Sequence, residues 1–222
     1  MSKETLKSLR ILIPGIIVFF LTIPAFNPQI KPTELLTTVT LLEGSIYTAL
    51  AFILGTGYYL TNLRGYFLKN SLNQIHKNIK SKLLEPFKDN FAIYKHKDKL
   101  EKGKTLIECF YGLIDNNESL KEKAKNVHLN GLIWSTVADI SALSFLASIL
   151  HLLLWLFTIT NSHLLWSLSF ALIYIVFSRV MMNQVTILHI EKSDEQLDFI
   201  KLYLKNDLQK KIEQAIKSLG AN

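Results

Sequence analysis

Three stretches of this chain carry no charged side chain, residues 11–30, 44–63 and 140–178, and they are separated by segments rich in lysine, aspartate and glutamate. A helix that crosses a bilayer needs roughly 20 mostly apolar residues, because the hydrocarbon is about 30 Å thick and each helical residue rises about 1.5 Å. The first two stretches each fit one span, over residues 9–26 and 45–63. The third is too long for one span and suits two, with Ile159-Thr160-Asn161-Ser162-His163 near its middle as a tight turn. It predicts a hairpin of helices over 132–157 and 164–183. Pro14 and Pro24 fall inside the first span, where proline is accepted if neighbouring groups re-satisfy the carbonyls it frees. Trp134, Trp155, Trp166 and the adjacent Tyr58 and Tyr59 lie near predicted span ends, as amphipathic rings do at a membrane interface. The basic N-terminus ahead of an apolar run has the outline of a signal peptide, but no clean small-x-small cleavage site comes after it. The segment is therefore expected to stay as a helix.

The polar segments also read as helices. Leu68, Leu72, Ile75, Ile79 and Leu83 recur at helical spacing until Pro86, so the second span is expected to continue past the bilayer as one rod. A second helix is predicted over 104–115, and Asn116 or Asn117 is placed to cap a third that runs from Glu118 into the third span. Ser193 and Gln196 have the spacing of a capping box, which predicts the start of a tail helix. Its apolar face would be Leu197, Ile200, Leu204, Leu208 and Ile212, continued by Ala215 and Leu219. The expected fold class is all-α: a polytopic membrane protein with four transmembrane helices, a helical region between spans two and three, and a C-terminal helix. Its parts are a first helix pair (1–63), a cytoplasmic helical region (64–128), a second hairpin (129–183) and a C-terminal cytoplasmic amphipathic helix (184–222).

Charge orients this scheme. The region from Arg64 to His128 holds 14 lysines or arginines against 8 acids, and the tail from Arg179 onward holds seven basic residues. The N-terminal residues carry Lys3, Lys7 and Arg10, whereas the turn between spans three and four carries no basic residue. Every basic-rich segment thus falls on one side, which places both termini and the central region in the cytoplasm of a plasma (inner) membrane protein. Anionic lipid is the expected contact for this charge. Lysine outnumbers arginine and no reader motif is present, so nucleic acid is not the expected partner. The amphipathic helices form a small core for independent stability, and a homo-oligomer is expected to complete it. The lone Cys109 rules out an internal disulfide and, among Ile107, Phe110 and Tyr111, reads as a buried hydrophobe.

Candidate chemistry lies in the spans, where polar groups are costly. Asp139 is the only acid in a predicted span. Arg179 lies at similar depth on the other arm of the hairpin, and Arg64 competes with it for the carboxylate. The group reads as a charged pair or as a ring at the inner mouth of a pore. Ser141, Ser144, Ser148 and His151 succeed it at spacings of three, four and three, hence on one helical face. Such a face serves close helix packing, or lines a water-filled path in which His151 senses protons. Gly55 and Gly57 mark a candidate hinge or a close approach. No nucleotide loop, zinc-protease motif, nucleophile elbow or Rossmann glycine pattern occurs, and the six histidines have no ligand-like pairing. No enzyme activity, cofactor or metal is expected.

These features predict an oligomeric membrane channel or pore-forming effector gated by its cytoplasmic helices. The alternative is a non-conducting anchor that recruits a soluble cytoplasmic protein, with a small regulatory ligand also in play. In layout the chain resembles small multi-span membrane components of bacterial antiphage defence systems, in which a cytoplasmic sensor region controls membrane disruption. The resemblance covers the order of spans and helices and brings no residue roles with it.

Overall fold

The structure, a computed structural model, describes residues 3–30 and 41–220. Among them every regular element is helical. Three helical stretches are long and apolar enough to cross a membrane: Glu4–Phe26, Glu118–Thr158 and Asn161–Tyr203, with Ile46–Leu60 a shorter apolar helix. The chain divides into two compact units, one of Met1–Lys69 with Leu132–Val185 and the other of Asn70–Gly131 with Thr186–Asn222.

The first unit opens with helix α1 (Lys3–Phe26) and helix α2 (Leu41–Leu60). Their contact depends on two glycines. A Cβ built on Gly15 would overlap the carbonyl of Ala51, and one built on Gly55 would overlap the carbonyl of Ile11. The two backbones therefore touch directly, as small residues allow in membrane helices. Helix α2 runs unbroken through Gly55 and Gly57, and a Cβ on Gly57 would meet nothing.

The single rod expected beyond the second span is interrupted. Thr61 and Asn62 form a turn between α2 and helix α3 (Leu63–Leu84), and Asn62 has φ 53°. Asparagine tolerates this left-handed conformation.

The third span and its lead-in form one helix, α7 (Glu118–Thr158). Asn117 caps it, its side-chain oxygen accepting from the Leu120 N–H at 3.1 Å. After a turn at Ile159 and Thr160 the chain enters helix α8 (Asn161–Ile175), then a π-helical segment (Val176–Met181), then helix α9 (Met182–Tyr203). The expected helix start at Ser193 is not found. The Ser193 hydroxyl instead donates back to the His189 carbonyl at 2.8 Å, and α9 continues to Tyr203.

The second unit contains a 3₁₀ turn at Glu85–Phe87 that follows the end of α3 at Leu84, where Pro86 has no N–H to continue the α-helical ladder. Short helices α4 (Phe91–Tyr94) and α5 (Lys97–Lys102), helix α6 (Thr105–Ile114) and helix α10 (Lys205–Gly220) complete it. Its core is apolar, centred on Ile79, Leu83, Leu100, Leu106, Phe110 and Ile212. Leu72 is exposed, contrary to the predicted stripe, and Ser71 takes the buried position, bonded to Thr186. Cys109 is buried here, and burial pushes its thiol above the usual range while Lys211 opposes the shift.

The glycine contact makes a direct prediction. Gly15→Val or Gly55→Val must separate α1 from α2, and each should destabilise detergent-solubilised protein by about 2–3 kcal/mol, read from its unfolding temperature. Gly57→Ala, with open space around it, should be neutral or raise that temperature slightly.

Candidate functional site

The first unit buries an unusual number of polar side chains and exposes many large apolar ones. Asp139, Ser141, Ser144, His151, His163 and Ser167 are buried, while Leu153, Leu156, Leu165, Leu168, Leu172 and Phe52 are exposed. A water-soluble surface rarely carries so continuous an apolar area. In hydrocarbon the same arrangement is favourable, because the polar groups find one another inside and the leucines face lipid.

At one end of this polar interior lies Asp139, 1% exposed. Arg64 grips it in a fork: Nε donates to Oδ1 at 2.7 Å and Nη2 to Oδ2 at 2.7 Å. The Tyr58 hydroxyl donates to Oδ1 at 3.0 Å. Nη2 of Arg64 also donates to the backbone carbonyl of Arg10 at 2.7 Å. That carbonyl is the one left without its helical partner by Pro14, which has no N–H to return to the residue four before it. One guanidinium thus neutralises a buried carboxylate and repairs the proline gap in α1. Lysine could not do both, since the task needs a planar fork of several donors.

Of the two sequence candidates for this pairing, Arg64 is the partner; Arg179 is exposed and makes no ion pair among the described residues. Arg179 lies in the π-helical segment. The extra residue of a π turn rotates the downstream helix by about 100°, so counting residues from the hairpin turn no longer predicts which side chains face inward.

Further along α7, Ser141, Ser144 and His151 are buried and Ser148 is half-buried, with Ser148 and His151 meeting α8 of the same chain. Ser141 donates to the Val137 carbonyl at 2.7 Å. Ser148 and Ser167 each donate to the other's backbone carbonyl, at 3.0 and 2.9 Å. His151 and His163 place their Nδ1 atoms 3.2 Å apart, so one proton is held between two ring nitrogens. Phe170 and Trp166 pack around this pair, and Trp166 Nε1 donates to the Pro28 carbonyl at 3.1 Å. Two polar atoms of the column, Ser144 Oγ and His151 Nε2, are buried without a well-formed hydrogen bond. The Leu21 carbonyl of α1 lies in the neighbourhood of the His151 ring.

Tyr58, Ser167 and His163 were not among the sequence candidates. Two of them could have been. His151 and His163 stand equally far from Phe157 along the chain, and Ser148 and Ser167 are nearly so; an antiparallel hairpin brings such residues together. Tyr58 gave no comparable signal, because an interfacial tyrosine and one bonded to a buried acid look alike in sequence. Gly55 proves to be a packing contact with α1, and neither glycine interrupts α2. Among the described residues no group of three or more acidic, cysteine or histidine side chains is placed to hold a metal.

Asp139→Asn leaves the Arg64 charge buried without its counter-charge and should cost about 3–5 kcal/mol of stability. Tyr58→Phe, which removes one bond to a charged group, should cost about 1.5 kcal/mol, and Arg179→Gln should leave the unfolding temperature unchanged. No family model matches this chain, and neither curated proteins nor solved structures provided a match.

Proposed function

We propose that the chain is a four-span membrane protein that passes protons along the polar column inside each protomer. The reading is carried by the line of Ser144, Ser148, Ser167, His151 and His163, in which Ser144 Oγ and His151 Nε2 lack well-formed partners. An unsatisfied polar atom in hydrocarbon costs several kcal/mol, about what one bridging water would recover. Water held between hydroxyls and imidazoles makes a chain along which a proton can hop, since an imidazole can accept a proton on one ring nitrogen and release one from the other.

In this reading α2 is the fourth span, supported by its apolar composition and its backbone contact with α1. Both termini and the second unit lie in the cytoplasm, on the strength of the basic residues that flank every span. The conducting path belongs to one protomer, since the serine and histidine face lies against the same chain's helices and is not free to line a channel between copies. Asp139, held by Arg64 and Tyr58, marks the cytoplasmic end of that path. The second unit is the place for a trigger, as a helical domain with its own apolar core outside the membrane.

The test is proton flux into liposomes containing the purified protein, driven by a potassium diffusion potential and monitored with a pH-sensitive dye. Wild-type protein should acidify or alkalinise the lumen faster than protein-free liposomes. His151→Phe should slow that flux at least about tenfold, the effect of about 1.4 kcal/mol added to the barrier, with Ser144→Val acting in the same direction. Wild-type flux no greater than that of empty liposomes, or full flux through His151→Phe, would exclude the path.

A further inference from the structure

On the first unit a cleft of about 510 Å³ opens beside the last turn of α2, lined by the polar side chains of Arg10, Tyr58, Asn62 and Arg64 and by apolar Leu60 and Leu68. Among the described residues two arginines and no acid line it. Arg64 has given Nε and Nη2 to Asp139 and to the Arg10 carbonyl, and its Nη1 has no partner among the described residues. Arg10 makes no ion pair among the described residues, and its Nε is buried without any hydrogen-bond partner. Asp139 balances the charge of Arg64, so the charge of Arg10 is the one left over. An uncompensated guanidinium at the head of an apolar helix is costly, and a phosphate is the anion its fork fits best.

We propose that this cleft binds a phosphate-bearing anion, taken from the membrane as the headgroup of an anionic glycerophospholipid. The Arg10 guanidinium and Arg64 Nη1 donate to the phosphate oxygens. Leu60 and Leu68 supply the apolar side of the cleft for the glycerol and the upper acyl chain, and the exposed Tyr59 ring borders it. Arginines at the mouth of a transmembrane bundle are suited to such headgroups, because the lipid brings its charge to the depth at which the cation sits. The cleft shares Arg64 and Tyr58 with the group that holds Asp139, whereas Arg10 lies outside the serine and histidine column, so loss of the lipid effect in Arg10→Gln and loss of flux in His151→Phe are distinguishable.

The experiment measures the unfolding temperature of the full chain in a neutral detergent. Dioctanoyl-phosphatidylglycerol, dioctanoyl-phosphatidylcholine and inorganic phosphate are added separately at equal concentration. Phosphatidylglycerol should raise the temperature by several degrees and phosphatidylcholine should not. In Arg10→Gln the rise, measured from that variant's own unliganded temperature, should fall to the phosphatidylcholine level. A rise with inorganic phosphate equal to that with phosphatidylglycerol would support the phosphate site and assign it to a soluble source. Equal rises with the two lipids, no rise with any addition, or a full rise in Arg10→Gln would each overturn the proposal. Should Arg10→Gln not fold, Arg10→Lys carries the test: it keeps the charge without the fork, and an undiminished rise there would equally overturn it.

Discussion

The buried ion pair of Arg64 and Asp139 is the constraint on which the first unit depends. A carboxylate in a low-dielectric interior is tolerable only when a counter-charge and hydrogen bonds reach it together. Here both come from neighbours distant in sequence: the Arg64 fork from the start of α3 and the Tyr58 hydroxyl from the last turn of α2. The same guanidinium then satisfies the α1 carbonyl that Pro14 leaves open. Four helices are thereby held at one point. The turn at Thr61 and Asn62 serves this arrangement, since it lies between Tyr58 and Arg64 and lets both reach one carboxylate.

The two units differ in burial, and each is consistent with a different solvent. In the second unit leucine, isoleucine and phenylalanine are inside, as the hydrophobic effect in water requires. In the first, serine, histidine and aspartate are inside among small residues and a few apolar ones such as Leu143 and Phe170, while many of the large leucines are outside. With lipid around them, apolar side chains gain nothing by turning inward, so cohesion must come from close backbone packing and internal hydrogen bonds. The Gly15 and Gly55 contact supplies the first, and the Ser148–Ser167 exchange supplies the second.

That difference also changes the meaning of a small polar stripe. On a helix viewed alone, Ser141, Ser144, Ser148 and His151 could equally face a symmetry axis between copies or a neighbour in the same chain. Ser167 and His163 on α8 meet Ser148 and His151, so the face is used within the protomer. A path built from it would accordingly be narrow and lined by hydroxyl and imidazole groups, which suits protons better than hydrated ions.

Periodicity and solvent were legible in the residues alone. Charge-free stretches, helical spacing, the Pro86 stop and the Asn117 cap are local properties, and each is found where the pattern placed it. The stripe on α7 was legible for the same reason, because one helical face is set by spacing. Choices between equivalent partners were not legible. Arg179 and Arg64 lay at matching depths, and only the π-helical segment, which turns Arg179 outward, separated them. Ser193 had the spacing of a cap, yet its hydroxyl found an equally good acceptor one turn back and the helix ran on. Leu72 and Ser71 differ by one position, and the burial of Ser71 depends on Thr186, more than a hundred residues away. Ser193 and Arg179 were decided by helix geometry beside them, whereas the choice of Arg64 for Asp139 and the burial of Ser71 rest on contacts with distant parts of the chain.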